Sequence, residues 1–193
     1  MSTTPRYAAF DGPRLLTSGS KLEVALALRR AQDAGAVGPL LAFDSTTGAV
    51  VDFDLRGSDV DIAARIGENN EASPRGRGRP KLGVVAREVT LLPRHWEWLA
   101  AQTGGASVAL RRLVDEARRA DGGATAARRA QAAAYRFMST MAGDLPAFEE
   151  AAHALFAGRR DEFAERIAAW PADIAHHALA LLAYAPAESP VSS

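Results

Sequence analysis

Tyr7-Ala8-Ala9-Phe10-Asp11-Gly12-Pro13-Arg14-Leu15-Leu16-Thr17-Ser18-Gly19-Ser20-Lys21-Leu22-Glu23 is the stretch that decides the fold class. Residues 7–10 are short and apolar, as a buried strand requires, and Asp11-Gly12-Pro13 is a strong turn signal. Residues 14–17 supply the return strand. Ser20 and Glu23 then stand at capping-box spacing, where the serine oxygen accepts from the third helical N–H and the glutamate reaches back. A helix therefore starts there. Leu22, Ala25, Leu26 and Leu28 give it a broad apolar face, and Gly35 ends it. Strand, turn, strand and helix within 30 residues predict an α+β class.

The same grammar runs outward from that stretch. Residues 40–43 read as a strand, Ser45 to Gly48 as a turn and residues 49–55 as another strand. In the last, Val51, Phe53 and Leu55 alternate with Asp52 and Asp54, the period-two pattern of a half-buried edge. Ser58 caps a short helix through Ile66. Residues 67–83 are polar and rich in Gly, Pro and Arg, which predicts a flexible linker. Beyond it, 84–92 reads as a strand bounded by Pro93, and 94–102 as a short helix ended by Gly104-Gly105. Ser107 caps a second helix to about Ala120. Four more helices are expected over 125–141, 146–157, 159–169 and 172–183. The domain plan is an N-terminal α+β module at 1–66, a basic linker at 67–83, a mainly helical domain with a leading strand at 84–185 and a disordered tail at 186–193.

Composition narrows the classes. The chain has 193 residues, 48% of them apolar, enough for a packed core. It has no cysteine, which excludes disulfides, thiolate metal sites and cysteine nucleophiles. The polar opening, with no apolar run behind it, predicts no signal peptide. No apolar stretch of about 18 residues occurs, so no spanning helix is expected. A cytoplasmic protein follows as the expectation.

Charge is neutral in total, with 23 basic and 23 acidic residues, but unevenly spread. Residues 1–70 carry 7 basic and 9 acidic groups, a net of −2. Residues 71–136 carry 13 and 6, a net of +7, and residues 137–193 carry 3 and 8, a net of −5. More than half of the cations thus lie in the middle third, the footprint expected of a polyanion-binding segment. The acidic C-terminal third could instead neutralise it within the chain.

Pro74-Arg75-Gly76-Arg77-Gly78-Arg79-Pro80-Lys81 sits inside that basic region. Its Arg77-Gly78-Arg79-Pro80-Lys81 resembles the core of an AT-hook, a minor-groove DNA-binding element. A narrow A·T-rich groove attracts inserted arginines, and glycine lets the backbone approach the floor. A solvated Arg/Gly linker is the alternative. Downstream, residues 87–119 resemble a ribbon-helix-helix module, with Ser107-Val108-Ala109-Leu110-Arg111-Arg112-Leu113-Val114-Asp115-Glu116-Ala117 as its second helix. The resemblance implies paired strands from two protomers in a major groove, and a dimer core of Leu110, Leu113, Val114 and Ala117. Trp96 and Trp98 are large for that family, the first helix is short, and Glu88 would face phosphates. An ordinary β-α-α unit or a helix-turn-helix fits the same pattern.

The whole chain resembles a family of bacterial proteins of unknown function. The carrying stretches are Asp52-Phe53-Asp54-Leu55-Arg56-Gly57, residues 75–82, Leu91-Leu92-Pro93-Arg94-His95-Trp96-Glu97-Trp98-Leu99, and Tyr135-Arg136-Phe137-Met138. That resemblance implies a bacterial source and supplies no activity or cofactor.

Signs of catalysis are few. His95, His153, His176 and His177 match no zinc spacing, and adjacent histidines on a helix diverge. Asp52 and Asp54 could hold Mg²⁺ with Asp44, or form the solvated side of an edge strand. His95 and Glu97 could do acid–base work beside Trp96 and Trp98, but diverge on a helix. Trp96 and Leu99 are expected in the core, with Trp98 over a helix junction. No enzyme and no cofactor is expected. The reading that follows is a regulatory or architectural DNA-binding protein. Arg75, Arg77, Arg79 and Lys81 would meet the groove, Arg87, Arg94, Arg111 and Arg112 the phosphates, and a homodimer would form through strands 84–92. The competing reading is a protein-interaction module whose basic segment binds acidic protein surfaces.

Overall fold

The structure is a computed structural model, and it describes residues 6–71 and 87–183. It is an α+β protein. Contacts divide the chain into two compact units, one of residues 1–72 with 126–193 and one of residues 73–125. The N-terminal strands and the C-terminal helices thus share a core, across the boundaries drawn from sequence at 66 and 84.

The first unit is built on three strands, β1 (Tyr7–Asp11), β2 (Arg14–Gly19) and β3 (Leu40–Asp44), all antiparallel in the order β2-β1-β3. Gly12, at φ 54°, makes the β1–β2 turn, and the register shifts between Ala9 and Phe10. Asp11 holds the turn from below. Its carboxylate accepts from the Gly38 N–H at 2.7 Å and from Arg14 at 3.2 Å, and the Gly38 bond leads in keeping its pKa low.

Period-two geometry sorts the central strands onto two faces. Ala8, Phe10 and Phe43 join a large core with Phe137, Met138, Leu155, Phe163, Ile167, Ile174 and Leu181. Ala9 and Ala42, directly paired, face the other way and pack with Val24 and Leu28. Those last two belong to α1 (Lys21–Asp33), which opens with the expected capping box. Ser20 Oγ accepts from the Glu23 N–H, and the Ser20 N–H donates to Glu23 at 2.7 Å.

Residues 49–55 are not a strand. After one bridge, Phe43 to Val50, and a Val51 N–H bond to Ala42, the segment leaves the sheet. Arginines replace the ladder. Arg29 donates to the Leu55 carbonyl at 3.0 Å, and Arg65 donates to the carbonyls of Asp54 and Arg56. The alternation survives, because Phe53 and Leu55 still pack beside Val24 and Leu28 while Asp52 and Asp54 are exposed. α2 (Asp59–Glu71) follows, with Ser58 Oγ accepting from the Asp61 N–H. It runs five residues past Ile66, straight through Gly67, since one helical glycine costs only about 1 kcal/mol. The rest of the expected linker, 72–83, lies outside the described residues, as does the tail at 186–193.

The helical side of this unit is α5 (Ala124–Met141), α6 (Phe148–Phe156), α7 (Arg160–Arg166) and α8 (Ala172–Ala183). α5 buries Ala130, Ala133, Ala134, Phe137 and Met138, one helical stripe. Its alanines allow close approach. Gly48, at φ 67°, lies where an added Cβ would come 1.9 Å from the Ala133 carbonyl oxygen, so only glycine fits. Arg136 donates to the Thr47 carbonyl beside it at 3.1 Å. Across the sheet edge, the Leu15 N–H donates to Asp173 of α8 at 2.8 Å. Trp170 is buried, its indole N–H on the Pro146 carbonyl at 2.8 Å. His177 packs its ring on Phe10 and Phe137, with centroids 5.4 and 4.6 Å away.

Within the second unit the described residues contain α3 (Pro93–Ala100) and α4 (Gly105–Asp121). Pro93 opens α3, where its missing N–H costs nothing. α4 begins after Gly104, at φ 86°, two residues before Ser107, which is therefore not its cap. Two left-handed glycines in sequence end the α3 turn and start the next helix directly. The strand expected at 84–92 is not formed in its described part. Residues 87–92 pair with no described strand, and 84–86 lie outside the described residues. A ribbon strand would take its ladder from a second chain, so nothing within this one organises it.

Candidate nucleic-acid interface

The eight basic residues singled out from sequence fall into two groups. Arg75, Arg77, Arg79 and Lys81 lie outside the described residues. Arg87, Arg94, Arg111 and Arg112 are described and exposed. Arg87 precedes α3, Arg94 stands in its first turn, and neither has a carboxylate partner among the described residues. Arg111 donates Nε to the Ser107 carbonyl at 3.0 Å, which leaves its terminal N–H groups outward. Arg112 leans on Glu116 of its own helix at 3.8 Å.

Helical spacing on α4 extends the pair into a band. Arg118 lies two turns beyond Arg111 and Arg119 two turns beyond Arg112, so four arginines occupy two adjacent lines. Asp115 falls between those lines and Glu116 beside them. The band therefore carries four cations and two anions, and it is a mixed surface with a positive excess. Arg119 donates Nε to the Asp115 carbonyl at 3.1 Å, repeating the Arg111 arrangement one cycle on. Such backbone anchoring steadies the side chains along the helix and keeps their charge.

The opposite face of α4 is apolar. Leu91, His95, Trp98, Leu99, Leu110 and Leu113 line a groove of about 250 Å³ within this unit. Trp98 lines this groove yet is 50% exposed, and Trp96, expected in the core, is 42% exposed. The described residues of this unit form two helices, and neither covers that indole. Leu113 and Val114 are also exposed, at 38% and 55%. Leu99 and Ala109 are the buried apolar residues among those described here.

Two of the acidic sequence candidates are engaged in local hydrogen bonds. Asp44 accepts from the N–H groups of Thr46 and Thr47, at 2.7 and 3.2 Å, and so caps the turn before Gly48. Asp54 forms a two-point pair with Arg56, both contacts 2.9 Å, and the Arg56 hydrogen bonds hold its carboxyl well below the usual range. An anion so engaged is a poor metal ligand, and no metal-binding cluster occurs among the described residues. His177 is pushed down to about 4 by burial, and its Nε2 has no partner.

One feature escaped sequence reading. Ala127, Ala130, Gln131, Leu155, Gly158, Arg160, Phe163 and Leu182 line a cleft of about 220 Å³ in the first unit. Four helices contribute to it, so no local motif announces it.

These features define an α+β protein with an arginine-banded helical unit. The chain belongs to the family described as "Uncharacterized protein conserved in bacteria (DUF2239)", whose model matches residues 6–182. No curated protein and no solved structure matches it. Among the described residues, no helix is long and apolar enough to cross a membrane.

Proposed function

We propose that this protein binds DNA, in a regulatory or architectural role, through its basic middle third. The observation that carries the reading is the concentration of charge, a net of +7 over residues 71–136 in a neutral chain. Arg77-Gly78-Arg79-Pro80 is suited to an A·T-rich minor groove. Arg87 and Arg94, exposed and without carboxylate partners among the described residues, and the α4 band are suited to phosphates. The test is fluorescence anisotropy with A·T-rich and G·C-rich duplexes at about 50 and 200 mM salt. Binding should weaken with salt and favour A·T-rich duplex. Arg77→Ala with Arg79→Ala should lower affinity and shrink that preference, while leaving stability within about 0.5 kcal/mol. Micromolar protein that leaves A·T-rich duplex unbound at the lower salt sinks the reading.

A second reading, self-association as a homodimer, is favoured by the apolar groove of the α3–α4 unit. Among the described residues of this unit, Trp96, Leu113 and Val114 are left exposed, and a second copy would cover them. Light scattering at micromolar concentration should give a dimer, and Leu113→Glu with Val114→Glu should give a monomer. A monomeric wild-type protein removes this reading and leaves the DNA reading standing.

A further inference from the structure

We infer that the four-helix cleft of the first unit is a binding site for a compact organic carboxylate with an aromatic-sized apolar body. The floor and walls are hydrocarbon: Ala127, Ala130, Leu155, Phe163 and Leu182. The volume, about 220 Å³, sets the size of the guest. An apolar cavity of about 150 Å³ holds a benzene ring, so the cleft has room for a ring and one small polar group.

The polar group is specified by two side chains. Arg160 lies at the cleft and has no carboxylate partner among the described residues, although its neighbours Arg159 and Arg166 both pair with Glu162. Gln131 donates one N–H of its amide to the Leu155 carbonyl at 2.9 Å, which fixes the amide and leaves its second N–H to give. Gly158 completes the opening. It makes the α6–α7 turn at φ 70°, and a Cβ there would come 3.9 Å from the Gln131 nitrogen. Glycine thus permits the turn. A guanidinium and an amide N–H beside a hydrocarbon cleft match a carboxylate joined to an apolar ring, and they oppose a cation. The proposal does not depend on DNA binding.

The test uses the full chain, with benzoate as probe and benzyl alcohol as its uncharged counterpart. Titrations followed by ¹H–¹⁵N spectra should show saturable benzoate shifts at the Gln131 side-chain amide and at the backbone of Leu155, Gly158 and Phe163. Benzyl alcohol should bind about tenfold more weakly, and Arg160→Gln should weaken benzoate by a similar factor, the loss of one charge-assisted contact. Ala127→Phe, a change at an exposed rim position, should block the cleft without disturbing the core spectrum. Absence of localised benzoate shifts at millimolar probe overturns the inference. So does equal affinity for benzyl alcohol, or an unchanged benzoate affinity in Arg160→Gln.

Discussion

Replacing His177 with Phe should make the protein markedly less sensitive to mild acid. The imidazole lies edge-on to Phe10 and Phe137, its Nε2 finds no hydrogen-bond partner, and burial pushes its pKa down to about 4. In the unfolded chain the same group titrates near 6.5. Between those values the unfolded chain binds the proton and the folded chain refuses it, so acid favours unfolding. Stability is therefore complete above about pH 6.5 and is lost as the pH falls toward 4. Linkage over that gap gives a loss of about 2 kcal/mol at pH 5 relative to pH 8, and about 3 kcal/mol by pH 4. Urea denaturation of wild type and His177→Phe at pH 8 and pH 5 isolates this group, because every other titration is shared. The wild type should lose about 2 kcal/mol more than the variant across that interval. At pH 8 the variant should be as stable or slightly more so, since it removes a polar atom left without a partner. Equal losses in both proteins would show that His177 is hydrated or paired in solution, and would refute the reasoning.

Two further substitutions test the packing of the same unit. Gly48→Ala should cost at least about 2 kcal/mol by urea midpoint, because the methyl collides with the Ala133 backbone. Gly35→Ala shares a positive φ but meets nothing within 4 Å, so it should cost only about 1 kcal/mol. Similar costs at the two sites would mean the approach of the turn to α5 is looser than described. Ser20→Ala removes the side-chain half of the capping box and should destabilise by about 1 kcal/mol. A neutral result would mean that the helix start is held by its packing alone.

Local signals in the sequence proved dependable where the chain's own neighbours decide structure. The Asp-Gly-Pro turn and the Ser-x-x-Glu box each concern groups three or four residues apart, and both appear as read. Where distant residues decide, the reading diverged. Residues 49–55 carry a strand pattern, but Arg29 and Arg65 compete for their carbonyls, and those arginines gave no sign of it in sequence. Trp96 looked like core because it is large, yet the described residues of its unit form only two helices and leave it exposed. Of the proposed DNA contacts, sequence spacing alone gave the Arg111 and Arg112 positions on α4. The same spacing sets Asp115 and Glu116 within that band, which a net-charge count over residues 71–136 does not resolve. The carboxylate cleft was illegible, since its lining residues are gathered from positions 127 to 182.

The sharing of one core by the first and last parts of the chain bears on how the protein is made. Phe10 and Phe43 leave the ribosome early, but Phe137, the ring that covers both, is 94 positions behind Phe43. At a synthesis rate of about 5–20 residues per second, the sheet waits roughly 5 to 20 s with its aromatic face uncovered. During that interval the face is open to chaperones and to other nascent chains. A slow stretch of codons within residues 73–125 would lengthen the exposure while leaving the finished protein unchanged. The yield of native protein should therefore depend on translation speed through a segment none of whose described residues belongs to the core it delays.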